Sequence, residues 1–369
     1  MTAFLRWGHR TARAHARILL LAMLPIGDSL FVIPTVRALR ARYPQAAIVA
    51  LARASNAPIL RCVPAIDEVL VLPTLPWWSG VRRVPRLLGT LARRDFDVAV
   101  DFTSPAYKWI SLLAGIPMRT YMKFDRAWWL LPARHTWWRS THATRLYYSC
   151  ASELDLPDWE HVDHTPRLAL SAAARTAAAA WLARHHLDVP RTLLVGMHPG
   201  GAGLAGRKRW PVVQFAAVAD RLIERHHARI ILLGGPDERT LARAVAARMR
   251  HGAVLAAGEL QLVESLAVVE RCTLIVGNDS SLLHVAAAVG TAYVGIFGLT
   301  SLANFQPIPT RAGQGSIVAP WPPDRHQSYF VGGRPIWQRW GGRKAARRLA
   351  SITPAQVLRC AEELLGPPA

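Results

Sequence analysis

The sequence predicts an α/β protein made of two Rossmann-like halves, and three observations carry that expectation. Short, continuous apolar runs such as ILLLAML (18–24) and TLIVGN (273–278) have the length of parallel strands covered on both faces. Most are followed by a turn marked by glycine or proline and then by apolar residues at helical spacing, the pattern of βαβ units. The series also runs twice. Between about Thr103 and Arg167 it weakens into a stretch rich in tryptophan and basic residues, with Trp128-Trp129 and Trp137-Trp138. A length of 369 residues suits two or three domains, each with its own core.

The elements follow in order. The run at 18–24 ends at Pro25 and Gly27, and Leu30, Ile33, Val36 and Leu39 then recur at helical spacing. Pro34 lies inside that helix and predicts a kink or a loosened first turn. AIVALA (47–52), EVLVL (68–72) and DVAVDF (97–102) are the next strands, with a helix over 86–94 between the last two. An alanine-rich helix, Ala172–His186, opens the second series. Its strands are expected at 192–198, 229–234, 273–278 and 292–298, and its helices at 212–225, 238–250, 263–270 and 282–289. SITPAQVLRCAEELL (351–365) reads as an amphipathic helix with Thr353 as N-cap and Pro354 in the first position. These patterns divide the chain into 1–175 and 176–369, the last helix being free to pack back on the first half.

Composition narrows the function. With 51% hydrophobic and 19% charged residues, disordered and fibrous chains are excluded. The formal net charge of +21 favours anionic partners: nucleic acid, anionic lipid or phosphorylated small molecules. Cys62, Cys150, Cys272 and Cys360 lie far apart with no C-x-x-C pair, which fits a reducing compartment and neither a disulfide framework nor a zinc site. No apolar run approaches the roughly 20 residues of a membrane span. Arg6, Arg10, Arg13 and Arg17 precede the first apolar run as in a signal peptide, but Pro25-Ile26-Gly27-Asp28 follows at once without a small-residue cleavage site. A cytoplasmic protein is expected. Neither half carries G-x-G-x-x-G, so no dinucleotide cofactor is expected.

Chemistry-bearing residues fall after strands, where open α/β sheets place ligands. Gly27-Asp28 follows the first, and Asp28 either projects into a crevice as a base or caps its helix. HPGGAGLAGRKRWP (198–211) offers Gly200, Gly201, Gly203 and Gly206 for close backbone approach to phosphate, with Lys208 as a mobile charge. Its alternative is a solvated surface loop, and it lacks the G-K-[ST] of a Walker loop. In GNDSSLLHVAAAVGT (277–291), Asp279, Ser280 and Ser281 open a helix that their side chains could cap and whose free N–H groups form an anion site, and His284 lies about one turn inside, where a lone histidine is usually structural. No G-x-S-x-G elbow supports a hydrolase triad. In GGPDERTLA (234–242), Asp237 and Glu238 either accept from ribose hydroxyls or occupy the acidic first turn of a helix.

Taken together, IGDSLFVIPTVRALRARYP (26–44), RKRWP (207–211), GNDSSLLHVAAAVGT (277–291), FGLTSLANFQP (297–307) and ITPAQVL (352–358) resemble glycosyltransferase family 9, the heptosyltransferases of lipopolysaccharide core assembly. The resemblance implies a GT-B architecture, two Rossmann-like domains facing a central cleft. It also implies an ADP-linked heptose donor, inversion at the anomeric carbon, and neither metal nor cofactor. Asp28 matches the general base, Lys208 the diphosphate-holding lysine and Glu238 the ribose-binding acid. Asp279, Ser280 and His284 match the donor-side helix motif, with Ser281 standing where the family usually has glycine. Gly200 and Gly201 join this donor side, whereas Gly27, Lys123, Arg126 and Arg145 are expected on the acceptor side. From Arg119 to Arg145 six basic residues face Asp125 alone, which suits an anionic lipid-linked glycan and peripheral contact with the inner membrane, or reflects compositional bias. No nucleic-acid partner is expected, for no RNA- or DNA-binding motif appears. Two alternatives stand beside this reading: a basic module binding nucleic acid or membrane on a non-catalytic scaffold, and the same fold with another nucleotide-sugar donor.

Overall fold

Residues 18–21 are completely buried and belong to the central strand of a parallel sheet. In the computed structural model, the structure describes residues 15–72, 80–103, 107–121, 141–201, 208–298, 300–320, 330–331, 334–335 and 342–366. The chain forms two units, Met1–Leu168 and Ala169–Ala369.

Unit one runs β1 (Arg17–Leu21), α1 (Ile26–Phe31), α2 (Ile33–Arg42), β2 (Ala47–Arg53), α3 (Ala57–Leu60), β3 (Glu68–Leu72), α4 (Gly80–Arg93), β4 (Val98–Asp101), α5 (Lys108–Leu113), β5 (Met118–Tyr121) and α6 (Ala143–Ser149). The strands form one parallel sheet ordered β3-β2-β1-β4-β5, so the switch point lies between β1 and β4. The kink expected at Pro34 is a full break at Val32. It sets Pro34 in the first turn of α2, where a missing N–H leaves no bond unmade. In register, Leu19 pairs with Val49 and Ala99, and this face meets Leu91, Ile110 and Ile116 in one core cluster beneath α4 and α5. α6 is capped by His142, whose Nδ1 accepts from the Thr144 N–H at 3.2 Å, and it packs on α1 and α2. The weak pattern after Thr103 hides α5, β5 and α6. The edge strand β5, MRTY, is only four residues long and alternates in burial with Arg119 exposed.

Unit two runs α7 (Ala172–Arg184), β6 (Leu194–His198), α8 (Val212–His226), β7 (Arg229–Leu232), α9 (Arg239–Ala246), β8 (Val254–Leu255), α10 (Leu262–Arg271), β9 (Leu274–Asn278), α11 (Ser281–Val289), β10 (Ala292–Ile296), α12 (Leu302–Phe305), β11 (Gly315–Val318), the small hairpin β12 (Phe330–Val331) and β13 (Arg334–Pro335), α13 (Gly342–Ala350) and α14 (Pro354–Leu365). Six strands form a parallel sheet, β11-β10-β9-β6-β7-β8, whose switch point lies between β6 and β9. The expected division at 175/176 would cut α7 after its first turn. The boundary falls instead at Leu168/Ala169, because α7 packs on α10, and its buried Trp181 donates to Glu259 at 3.1 Å. α14 is capped as expected, the Thr353 hydroxyl accepting from the Gln356 N–H, and Val357, Leu358 and Ala361 enter the core of unit two. All four cysteines are free. Among the described residues no helix is long and apolar enough to cross a membrane.

Candidate active site

The carboxyl ends of β6, β7, β9 and β10 bring the second-half motifs into one hydrogen-bonded cluster. Asn278, the last residue of β9, staples two loops. Its side chain donates to the carbonyls of Pro199 and Gly200 at 2.7 and 3.0 Å and accepts from the Trp210 N–H at 2.9 Å. Trp210 is buried, and its indole N–H donates to the Ile352 carbonyl at 3.0 Å. The chain around Lys208 is therefore anchored two residues away, in the core. Lys208 itself is held rather than solvated, while Arg209 beside it is exposed.

Lys208 Nζ donates to Asp279 Oδ2 at 2.6 Å, and the Thr300 hydroxyl donates to the same oxygen. The pair is largely buried, with Lys208 and Asp279 side chains 18% and 7% exposed. Ser280 stands at the N-cap position of α11 but makes no side-chain cap bond. Its hydroxyl meets His198 Nδ1 at 2.9 Å instead. The capping role open to Asp279 and Ser280 is thus not taken up, and the first turn of α11 has no side-chain cap. Ser281 is half-buried in that turn, and His284 is buried one turn further on.

Glu238 turns inward while Asp237 stays exposed. Its Oε1 accepts from the Gly201 N–H at 2.7 Å, and Oε2 accepts from the Gly235 N–H and from His198 Nε2, each at 3.0 Å. Burial alone would raise the pKa of Glu238. The His198 imidazole and the two backbone N–H groups outweigh it and hold that pKa at about 2. The close approach also explains two glycines. A Cβ on Gly200 would lie 1.9 Å from Glu238 Oε1, and Gly201 has φ +141°.

In unit one, Gly27 and Asp28 lie in the first turn of α1, just past β1 and at the switch point of that sheet. The N-cap position of α1 is taken by Pro25, and Asp28 lies in the turn that follows. Its Oδ1 accepts from the Tyr147 hydroxyl of α6 at 2.8 Å, and the Tyr147 ring packs edge-on against Phe102. Arg145, on the same short helix, pairs with Glu160 at 2.9 Å, and both side chains are exposed. Lys123, Arg126, Gly203 and Gly206 lie outside the described residues.

Four participants escape sequence reasoning. His198 and Asn278 sit inside the quoted motifs without being singled out, and Thr300 lies in FGLTSLANFQP. Tyr147 carries no local signal, because its contact with Asp28 spans 119 positions.

Residues 84–328 match the profile of glycosyltransferase family 9 (heptosyltransferase). The chain belongs to glycosyltransferase family 9. Among curated family members, it is 27% identical over 302 residues to lipopolysaccharide heptosyltransferase 2 of Salmonella typhimurium, covering 77% of this chain and 83% of the relative. It is 25% identical over 357 residues to lipooligosaccharide heptosyltransferase 2 of Haemophilus influenzae, covering 94% and 99%. Two solved structures share the fold. The glycosyl transferase family 9 protein of Veillonella parvula superposes with TM-score 0.76 at 20% identity, covering 95% of this chain and 97% of that one. ADP-heptose LPS heptosyltransferase II of Escherichia coli gives 0.73 at 23% identity, covering 95% and 98%. This family 9 chain is a glycosyltransferase of GT-B architecture, with two parallel sheets.

Proposed function

We propose that the protein transfers a heptose from an ADP-linked donor to an acceptor of the lipopolysaccharide core, with inversion at the anomeric carbon. The observation that carries this is the cluster in unit two: a buried lysine, an uncapped helix N-terminus and a carboxylate oriented by backbone N–H groups, all at one switch point. Lys208 and the first N–H groups of α11 stabilise negative charge on the leaving diphosphate. Glu238 accepts a ribose hydroxyl. Asp28 takes the proton of the attacking acceptor hydroxyl as its oxygen bonds to the anomeric carbon and the bond to the diphosphate oxygen breaks, releasing ADP. The names of the relatives, lipopolysaccharide and lipooligosaccharide heptosyltransferases, support the choice of sugar and acceptor. The positive charge in this scheme comes from protein groups, so no metal is required.

Peripheral contact with an anionic membrane surface is part of the same reading. α5 exposes Trp109, Leu112 and Leu113 at i, i+3 and i+4, with Leu112 and Leu113 58% and 61% exposed. α4 next to it carries four arginines and no acid. Phosphatidylglycerol vesicles are expected to pellet the protein where phosphatidylcholine vesicles do not, and Leu112→Glu with Leu113→Glu to abolish pelleting.

The donor assignment is tested by thermal stabilisation with ADP, UDP and GDP at equal concentration, since a ligand of the native state raises the melting temperature by mass action. ADP is expected to stabilise most. A larger shift with UDP or GDP would replace the donor while leaving the reaction type.

A further inference from the structure

We propose that His198 is a positioning residue for the nucleotide. It holds the Glu238 carboxylate and the Ser280 hydroxyl in one arrangement, and acts on donor affinity through Glu238 rather than on the transfer step. This rests on the reading of Glu238 as the acceptor of a ribose hydroxyl.

The ring is 5% exposed and bridges two elements, with Nε2 3.0 Å from Glu238 Oε2 and Nδ1 2.9 Å from Ser280 Oγ. A carboxylate can only accept, so Nε2 carries the proton; in the neutral ring Nδ1 then accepts from the Ser280 hydroxyl. Both partners are thereby fixed in direction as well as in place. Glu238 has two oxygens and about four lone-pair positions. Oε2 is filled by His198 Nε2 and the Gly235 N–H, and Oε1 is half-filled by the Gly201 N–H. One acceptor position remains, on Oε1. The two N–H groups come from the backbone, whereas His198 is the side chain that decides whether the carboxylate stays turned toward them. Without it, an inward-facing carboxylate at this depth loses a charge-assisted partner and gains freedom to rotate outward.

The test uses the full chain, calorimetric binding of ADP and of 2′,3′-dideoxy-ADP, and steady-state kinetics. Wild type is expected to prefer ADP, and Glu238→Ala to lose that preference. His198→Ala is expected to weaken ADP about tenfold, the loss of one hydrogen bond to a charged group. It should also lose the preference for ADP, and raise donor KM while kcat at saturating donor stays within about twofold. The double variant should bind ADP no more weakly than Glu238→Ala alone, because the histidine acts through the glutamate. His198→Gln, whose amide N–H reaches the position of Nε2, should restore the preference, and His198→Asn should not. The inference is overturned if His198→Ala binds ADP as wild type does, if the two losses multiply in the double variant, or if ADP and its dideoxy analogue weaken equally as the melting temperature falls. The last result would mark a purely structural histidine. If Glu238→Ala keeps the wild-type preference, the ribose reading itself falls, and that outcome is distinguishable from failure of His198 alone.

Discussion

Two aspartates, Asp28 and Asp279, follow strands at the switch points of the two sheets, yet their surroundings differ in kind. Asp279 is buried and shares its Oδ2 between the Lys208 ammonium and the Thr300 hydroxyl. Asp28 is half-buried and accepts from a neutral phenol, that of Tyr147. Taking a proton would cost Asp279 its ion pair and leave a buried ammonium uncompensated, so that carboxylate is suited to hold a cation in place. The Tyr147 hydroxyl orients Asp28 Oδ1 without itself carrying a charge, which suits the proposed role of general base. Position after a strand is therefore not enough to assign a role. The partner each carboxylate takes distinguishes the two.

The largest effects should separate the two. If Asp28 is the base proposed above, Asp28→Asn removes the proton acceptor while preserving shape, and should lower kcat by about 10²–10⁴-fold with calorimetric ADP affinity unchanged. A parallel loss of ADP affinity would place Asp28 among the donor contacts and break the comparison. Lys208→Ala should lower kcat by about 10²–10³-fold through lost stabilisation of the leaving group. It should also destabilise the fold by about 3–5 kcal/mol, because Asp279 is left buried and uncompensated. Adding Asp279→Ala to Lys208→Ala should then restore part of the melting temperature and none of the activity. Were the single and double variants to melt alike, the ion pair would be no fixture.

A smaller effect follows from Glu238, the other oriented carboxylate of unit two. Its folded pKa, about 2, lies below its ordinary value of 4.5, so its contribution to stability is complete above pH 4.5 and is lost as pH falls toward 2. That contribution is about 3 kcal/mol at most. Glu238→Gln should therefore lower the melting temperature near neutrality and flatten its fall across this window. A wild-type acid limb unmoved by the substitution would show that the cradle does not hold the anion specifically.

How far all this was legible in the sequence depends on the range over which each interaction acts. Saturated apolar runs marked the central strands, since parallel strands buried on both faces write themselves into consecutive residues. Three of the four edge strands were not marked, because β5, β8 and β11 are only four, two and four residues long, whereas the five-residue edge strand β3 shows as EVLVL. Lys208, Glu238 and Asp279 were legible as members of motifs at strand ends. Their pairings were not: Lys208 meets Asp279 across 71 positions and His198 meets Glu238 across 40. Local sequence also misled at α11, where Ser280 occupies a cap position while its hydroxyl serves a histidine 82 positions away. A residue type suited to capping says what a hydroxyl can do, and tertiary structure decides which partner it takes.

Tyr147→Phe gives the smallest effect and the sharpest test. The substitution keeps the ring that packs edge-on against Phe102 and removes only the hydroxyl 2.8 Å from Asp28. Stability should change by about 1 kcal/mol, the net worth of one hydrogen bond. If the phenol merely aims the carboxylate, kcat should fall by about tenfold or less and acceptor KM should rise, with donor KM unchanged. A loss as deep as that of Asp28→Asn would instead make the Tyr147 hydroxyl a participant in proton transfer. The proposed base of unit one would then be a coupled pair, as tightly built as the lysine–aspartate pair of unit two, and the contrast between the two aspartates would fail.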